Sequence, residues 1–306
     1  MKGSLLFTVG ALWILTGSIA SAETQGGPPR GAPGGSSSLA AGYLHEFGTA
    51  VSGGGDIRIS MASVNANVTG TTGSKTVLGL GLTCNRHEYT FSGPSGLAAP
   101  PPWGTIHRFG LRPSMVHSPS SDWRVLIAST VGYAGEEGAD PGDALVYGAA
   151  ILAMKTFGPD LSLGLGTGAF RQIGRWGVFP VLSVRWQIND RWRLSNPLDV
   201  GPAGPAGMEL AYILDGNWEV AAGGAYRSYR FRLDEDGTVP GGTGETRGIP
   251  LFARLSRSWR QGWKVDLYVG VAMGGKLLLE NERGDRIGSA SIDPAPIGGL
   301  FLARTF

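Results

Sequence analysis

The sequence predicts an all-β chain, a transmembrane up-and-down antiparallel β-barrel of twelve to fourteen strands. Three observations carry that prediction. From Tyr43 onward, apolar residues alternate with polar or small ones at period two, the spacing that puts neighbours on opposite faces of a strand. Tight turns alternate with longer polar connections, as in a barrel with short turns at one rim and loops at the other. Four tight turns lead straight into a Trp (Trp123, Trp192, Trp218 and Trp263), and the chain ends on Phe306.

The first 22 residues read as a secretory signal peptide. Lys2 supplies the charge, residues 5–15 the apolar core, and Ala20, Ser21 and Ala22 the small-residue cleavage site, so the mature chain should begin near Glu23. Residues 23–42, with the run GGPPRGAPGGSSS, have no periodicity and few apolar side chains, and are expected to be flexible. Residues 43–306 form the expected barrel. No later segment is apolar for the length of about 18 residues that a membrane helix needs.

The strands are expected at 43–51, 56–68, 75–91, 105–112, 122–134, 143–156, 161–171, 176–188, 191–196, 207–214, 218–232, 248–259, 263–280 and 296–306. The last but one is the clearest. Its odd positions are Trp263, Val265, Leu267, Val269, Val271 and Met273; its even ones are Lys264, Asp266, Tyr268, Gly270 and Ala272. The turns come at 121–122, 158–160, 189–190, 215–217 and 260–262, all rich in Asp, Asn, Gly, Pro or Ser, which favour turn geometry. The longer connections are 135–143, 196–207, 234–247 and 281–295. Strands 105–112 and 207–214 are short enough to merge into loops, which sets the lower count. Pro180 and Pro250 each remove one ladder donor.

Composition agrees. Hydrophobic residues are 42% and charged residues 16% of the chain, which contains 51 Gly. The 26 basic and 24 acidic side chains give a balance with no basic run, so no nucleic-acid partner is expected. The single cysteine, Cys84, excludes an internal disulfide and a Cys-pair zinc site.

This register turns Arg124, Arg185, Glu209, Glu219, Arg227, Arg254, Lys264, Asp266 and Lys276 inward as candidate pore-lining residues, because an Arg or Lys facing lipid at the midplane costs about 2–4 kcal/mol. Six are basic and three acidic. A water-filled lumen lined this way would mildly prefer anions. Ion pairs such as Arg227–Glu219 or Arg254–Asp266 would instead partly close it. Trp123, Trp186, Trp192, Trp218 and Trp263 fall on one rim, as a girdle at the lipid boundary requires.

Catalytic chemistry is not expected. His45 and His87 each precede a Glu, but strand neighbours face opposite ways. His107 and His117 have no such neighbour, and no motif links His87 or His107 to a nucleophile such as Ser92. The acidic run Asp234, Glu235 and Asp236 lacks calcium-loop spacing, and GGTGETRG follows no nucleotide-binding context. No metal or cofactor is therefore expected.

The terminal strand, with Leu300 and Leu302 in register with Phe306, resembles the C-terminal insertion signal of bacterial outer-membrane β-barrels. Arg304 departs from it, since that place is usually Tyr or apolar. The stretches GPAGMELAYILDGNWEVAAGGAYRSYRFRLDEDG and GWKVDLYVGVAMGGKLLLE resemble an uncharacterised, porin-like family of Gram-negative outer-membrane barrels, a domain of unknown function. The resemblance implies the outer membrane as location, its lipid as surroundings, and the barrel-insertion machinery as a partner of the C-terminal strand. It transfers no substrate or catalytic residue. The expected function is a passive channel or transporter for small solutes. The alternatives are a structural or surface-interaction barrel with a plugged lumen and, less favoured, a lipid-modifying enzyme.

The mass of the exported chain should correspond to a start at Glu23. A chain retaining residues 1–22 would contradict the cleavage site.

Overall fold

The computed structural model describes residues 35–93, 96–98, 100–196 and 206–306. The expected signal peptide and the expected flexible segment up to residue 34 lie outside the described residues. The chain forms β1 (Ser36–Ala50), β2 (Asp56–Thr72), β3 (Thr76–Ser92), β4 (Thr105–His117), β5 (Trp123–Glu136), β6 (Leu145–Phe157), β7 (Leu161–Gln172), β8 (Arg175–Gln187), β9 (Trp192–Ser195), β10 (Gly207–Ile213), β11 (Trp218–Ala225), β12 (Arg227–Arg232), β13 (Thr243–Ser258), β14 (Trp263–Glu280), β15 (Arg286–Ile292) and β16 (Ala295–Thr305).

From β1 to β11 each strand pairs antiparallel with the next, then β11 with β13, β13 with β14 and β14 with β16, around a ring that β1 and β16 close, from Ser38 opposite Thr305 to Glu46 opposite Ile297. β12 continues the course of β11, and β15 that of β16, so the wall is a closed barrel of fourteen strands. The short strands that set the lower count are both present, as β4 and β10. Several boundaries differ from expectation: β2 runs on to Thr72 and β4 to His117, and the strand expected over 218–232 breaks at Tyr226. β1 begins at Ser36, so residues 36–42 are strand rather than flexible segment; Leu39, Ala41 and Tyr43 already alternate outward there. Residues 243–247 open β13, and Arg286–Ile292 within 281–295 form β15, although both stretches read as polar loops.

Period-two alternation puts large apolar side chains on the outside. Leu39, Val68, Leu82, Val131, Leu165 and Val178 are among the exposed hydrophobics of this outer face. Cys84 is exposed on the same face of β3. Inside, bulky rings stand opposite glycines. Phe301 pairs with Gly42, Phe170 with Gly148, Phe252 with Gly223 and Phe231 with Gly244. A Cβ on Gly42 would lie 1.8 Å from the Phe301 ring, and one on Gly148 or Gly244 within 2.4 Å of its phenyl partner. The rings lie across the neighbouring backbone, so much of the glycine content serves to let inward aromatics pack against the wall.

The wall is uneven. β9, β10 and β11 are short, and β8 pairs with β9 only over Arg185, Trp186 and Gln187. Pro180 lies in the upper stretch of β8, where β7 is the ladder partner among the described residues. Next to this low side, four strand courses break at one level. β11 gives way to β12 at Tyr226, β13 shifts register between Arg247 and Ile249, β14 passes through Gly274 at φ +60°, and β15 gives way to β16 at Asp293 and Pro294. That φ is disfavoured for any residue with a Cβ. Pro250 falls beside the register shift, where a missing donor matters least. Beyond this line β12, the start of β13, the end of β14 and β15 form a four-stranded sheet that leaves the wall and turns into the barrel. Its far edge reaches β5, where Arg232 pairs with Gly135.

Gly42→Ala should lower unfolding stability by about 1–3 kcal/mol, the usual cost of overpacking. Gly70→Ala, whose Cβ would meet nothing within 4 Å, should stay within about 0.5 kcal/mol of the parent. Urea titrations of the refolded barrel, followed by heat-dependent gel mobility, measure both.

Candidate functional site

The interior near the loop-side rim is filled by the infolded sheet, and β12 is its most buried strand: all six residues are buried. Residues of odd number point to the wall formed by β2, β3 and β4. Phe231 packs against Trp103 and Tyr89, with ring centroids 5.3 and 5.8 Å apart. Tyr229 meets His87 edge-on at 4.6 Å and Arg108 at 5.2 Å. Ile57, Ile59, Ile106, Leu233, Leu277 and Leu279 complete this core. Each such side chain taken fully from water contributes about 1.5–3 kcal/mol.

Residues of even number make a charged face. Ser228 donates to Glu245 Oε1 at 2.7 Å. Arg230 binds Glu280 at 2.6 Å and Glu245 at 3.5 Å, and donates from Nε to the Ile173 carbonyl at 3.2 Å. Arg175 also pairs with Glu280, and Arg247 with Glu245 at 2.5 Å. Arg232 reaches Asp143 in the β5–β6 loop at 2.8 Å. The Asp234 backbone N–H donates to Glu136 Oε2 at 3.2 Å, while Gly104 N–H donates to Oε1 of the same carboxylate at 2.7 Å. At the opposite edge, Ser52 N–H donates to the Ser291 carbonyl at 2.9 Å, and Val51 bridges Ile292. The sheet is thus fastened to the β1–β2 turn, the end of β5, the β5–β6 loop and the β7–β8 turn. It crosses the lumen.

Between this sheet and the wall lies a chamber of about 40 Å³. Leu44, Ile59, Met61, Tyr89, Pro250 and Ala272 give it an apolar lining, and Glu46 and Arg227 bring opposite charges that attract each other. Arg227 was expected to face inward and does, but its expected pairing with Glu219 does not form; the break at Tyr226 carries it away from β11 and towards Glu46.

Closer to the turn-side rim, a second charged cluster sits on β9–β14. Arg254 is fully buried at its centre. It grips Glu209 through Nε at 3.0 Å and Nη2 at 2.5 Å, and also binds Glu219 at 2.6 Å and Asp266 at 3.1 Å. Two-pronged pairing of this kind is the strongest form of side-chain ion pair. Arg193 pairs with Glu219, Lys264 with Asp266 at 3.2 Å, and Ser256 with both Arg254 and Asp266. The expected Arg254–Asp266 pair is therefore present, within a larger network. Three bases face three acids there, so this cluster is balanced. Arg124 and Arg185 are half-buried at inward positions of β5 and β8. Lys276 is exposed: it lies past Gly274, where β14 has left the wall and its parity no longer marks the lumen. The flank opposite the cluster is apolar, with Leu126, Leu152, Met154, Phe170, Phe179 and Val181 buried together.

His45 Nδ1 lies 3.0 Å from Ser60 Oγ and His117 Nδ1 3.0 Å from Thr76 Oγ1, both as cross-strand neighbours. His107 stacks on Phe109. Trp123, Trp186, Trp192, Trp218 and Trp263 lie at the turn-side ends of β5, β8, β9, β11 and β14, and Phe306 follows β16 at the same rim. Arg304, out of place in the sequence pattern, lies over Trp263 and Phe306, 5.0 and 4.5 Å from their ring centres.

Sequence reasoning missed Arg175, Arg193, Arg230, Glu245, Glu280 and Glu46. One signal was available. Arg227 and Arg230 lie on opposite faces of one strand, and no strand with a lipid-facing side can carry both.

A family model described as a domain of unknown function (DUF6268) matches residues 105–239. No curated protein matches the chain. Among solved structures, the TodX monoaromatic hydrocarbon channel deltaS2 mutant aligns over 90% of this chain and 91% of its own, with 8% identity and a TM-score of 0.50. The COG4313 outer membrane channel from Pseudomonas putida F1 aligns over 92% and 100%, with 12% identity and a TM-score of 0.49. The TodX likeness is one of fold: a β-barrel.

Replacing Arg254 with Met should cost about 3–5 kcal/mol, because it strands buried carboxylates. Adding Glu209→Gln should recover part of the loss. Urea unfolding of the single and double variants checks both, and equal stability of the two would contradict the network.

Proposed function

We propose that the chain is an outer-membrane channel for small solutes of low charge, closed in the described state by its own infolded sheet. On this reading the chain is exported, cleaved near Ala22 and inserted through the strand that ends in Phe306. The observation that carries the reading is the construction of the closure. The wall is complete as a ring without the sheet, and the sheet is tied across the lumen by a few ion pairs and hydrogen bonds.

The mechanism is passive. Release of Arg232 from Asp143, of Glu280 from Arg175 and of Arg230 from the Ile173 carbonyl would let the sheet swing about the line through Tyr226 and Gly274. The chamber and the apolar flank then offer a path with little net charge, which disfavours strongly ionic solutes and any marked anion preference. The fold likeness to a monoaromatic hydrocarbon channel agrees with solutes of this kind.

The buried core between the sheet and β2–β4 favours a second reading, a permanently plugged barrel with a structural or surface role. Catalysis has no support from the histidine geometry described above.

Planar-bilayer recordings separate the readings. The parent protein should give rare, small steps, and Arg230→Ala or Arg175→Ala more frequent and larger ones. Silence from all three proteins, each heat-modifiable and inserted, would overturn the channel and leave the plugged barrel.

A further inference from the structure

Three tryptophans that open strands after tight turns stand directly opposite a basic residue on the neighbouring strand. Trp123 pairs with Lys155, Trp218 with Arg257 and Trp263 with Arg304. All three cations occupy outward positions, in register with the apolar belt. Each lies over its ring: Lys155 Nζ is 5.5 Å from the Trp123 centroid, Arg257 Cζ 4.9 Å from Trp218, and Arg304 Cζ 5.0 Å from Trp263. Each cation also lies over a second ring two residues further along the chain, Phe157, Trp259 and Phe306, at 5.0, 5.0 and 4.5 Å. Among the described residues, none of the three cations has a carboxylate within ion-pair distance.

Stacking a cation on two rings holds it in place but does not neutralise it. Three such cations at the edge of an apolar belt, outside the barrel, call for anions at the same depth. We infer that the turn-side rim binds anionic phospholipid: each cation holds a headgroup phosphate, and the flanking rings lie against the upper acyl chains. A guanidinium fixed by its face keeps its N–H edge for phosphate oxygens, and aromatic side chains favour this interfacial depth. The same contact explains why Arg304 stands where an apolar residue would otherwise complete the terminal strand. The inference rests on the reading of the chain as a membrane barrel.

The test uses the full mature protein in nanodiscs of phosphatidylcholine and phosphatidylglycerol, with retained lipids counted by native mass spectrometry. The parent should retain phosphatidylglycerol preferentially. Lys155→Gln, Arg257→Gln and Arg304→Gln should each weaken that preference roughly fivefold, the share of one basic residue near a charged surface. The triple variant should retain both lipids alike. A control triple at the loop-side rim, Arg58→Gln with Arg283→Gln and Arg286→Gln, removes the same charge and should keep the preference. Equal retention by the parent, or an unchanged preference in a folded triple variant, would overturn the inference. Displacement of the lipid by inorganic phosphate would reassign the site to free phosphate and overturn it too. If the triple variant does not fold, the single variants decide. A parent that inserts into pure phosphatidylcholine without lipid preference leaves the barrel reading standing; one that does not insert at all removes both.

Discussion

In a bilayer, backbone N–H and C=O groups find no water, so a spanning sheet must close on itself. The ladder between β1 and β16 is that closure, and the remaining structure depends on it. Once the ring is closed, strand parity sorts every side chain. Exposed Leu, Val and Ile side chains form the outer face, and the inner face, besides its own apolar clusters, takes what lipid would reject: Arg254 with its carboxylates, and rings that need a glycine opposite them. The high glycine and low charge of the composition follow from the same sorting.

The closed ring also permits a departure. Where β11, β13, β14 and the last strand course break at one level, the chain stops obeying the parity rule, because the sheet beyond the break meets no lipid. Both faces of β12 are protein-facing. One carries Phe231 and Tyr229 against the wall; on the other side, Arg232 meets Asp143 of the β5–β6 loop and Glu280 meets Arg175 of β8. Buried ion pairs are poor sources of net stability, since desolvation offsets most of their attraction. Their presence at the contact between sheet and wall, rather than apolar residues throughout, is what makes the sheet a candidate gate and not merely a filled core.

The wall was legible in the sequence because lipid imposes a strict alternation. Trp263 to Met273 announces its register residue by residue, and turns leading into Trp mark the rim. Legibility failed where lipid stops acting. Ser36 to Gly42 looked too small and polar for a strand, yet small residues suffice on an inner face. Lys276 kept the inward parity of Lys264 but lies beyond the bend at Gly274, so parity carried no information there. Arg227 was placed inward correctly and partnered wrongly, because Tyr226 interrupts the strand that would have held it beside Glu219. The pairing of Arg230 with Glu280 joins residues fifty positions apart, and depends on a fold-back that no local pattern encodes.

The central claim is that the sheet crosses the lumen and meets the opposite wall. Arg232 and Gly135 are bridge partners at that meeting point. In a Cys84→Ser background, Gly135→Cys with Arg232→Cys should form a disulfide readily under mild oxidation in the folded, heat-modifiable barrel. Its formation would fix β12 against β5 as described. A barrel that folds fully and leaves both thiols reduced would contradict the account.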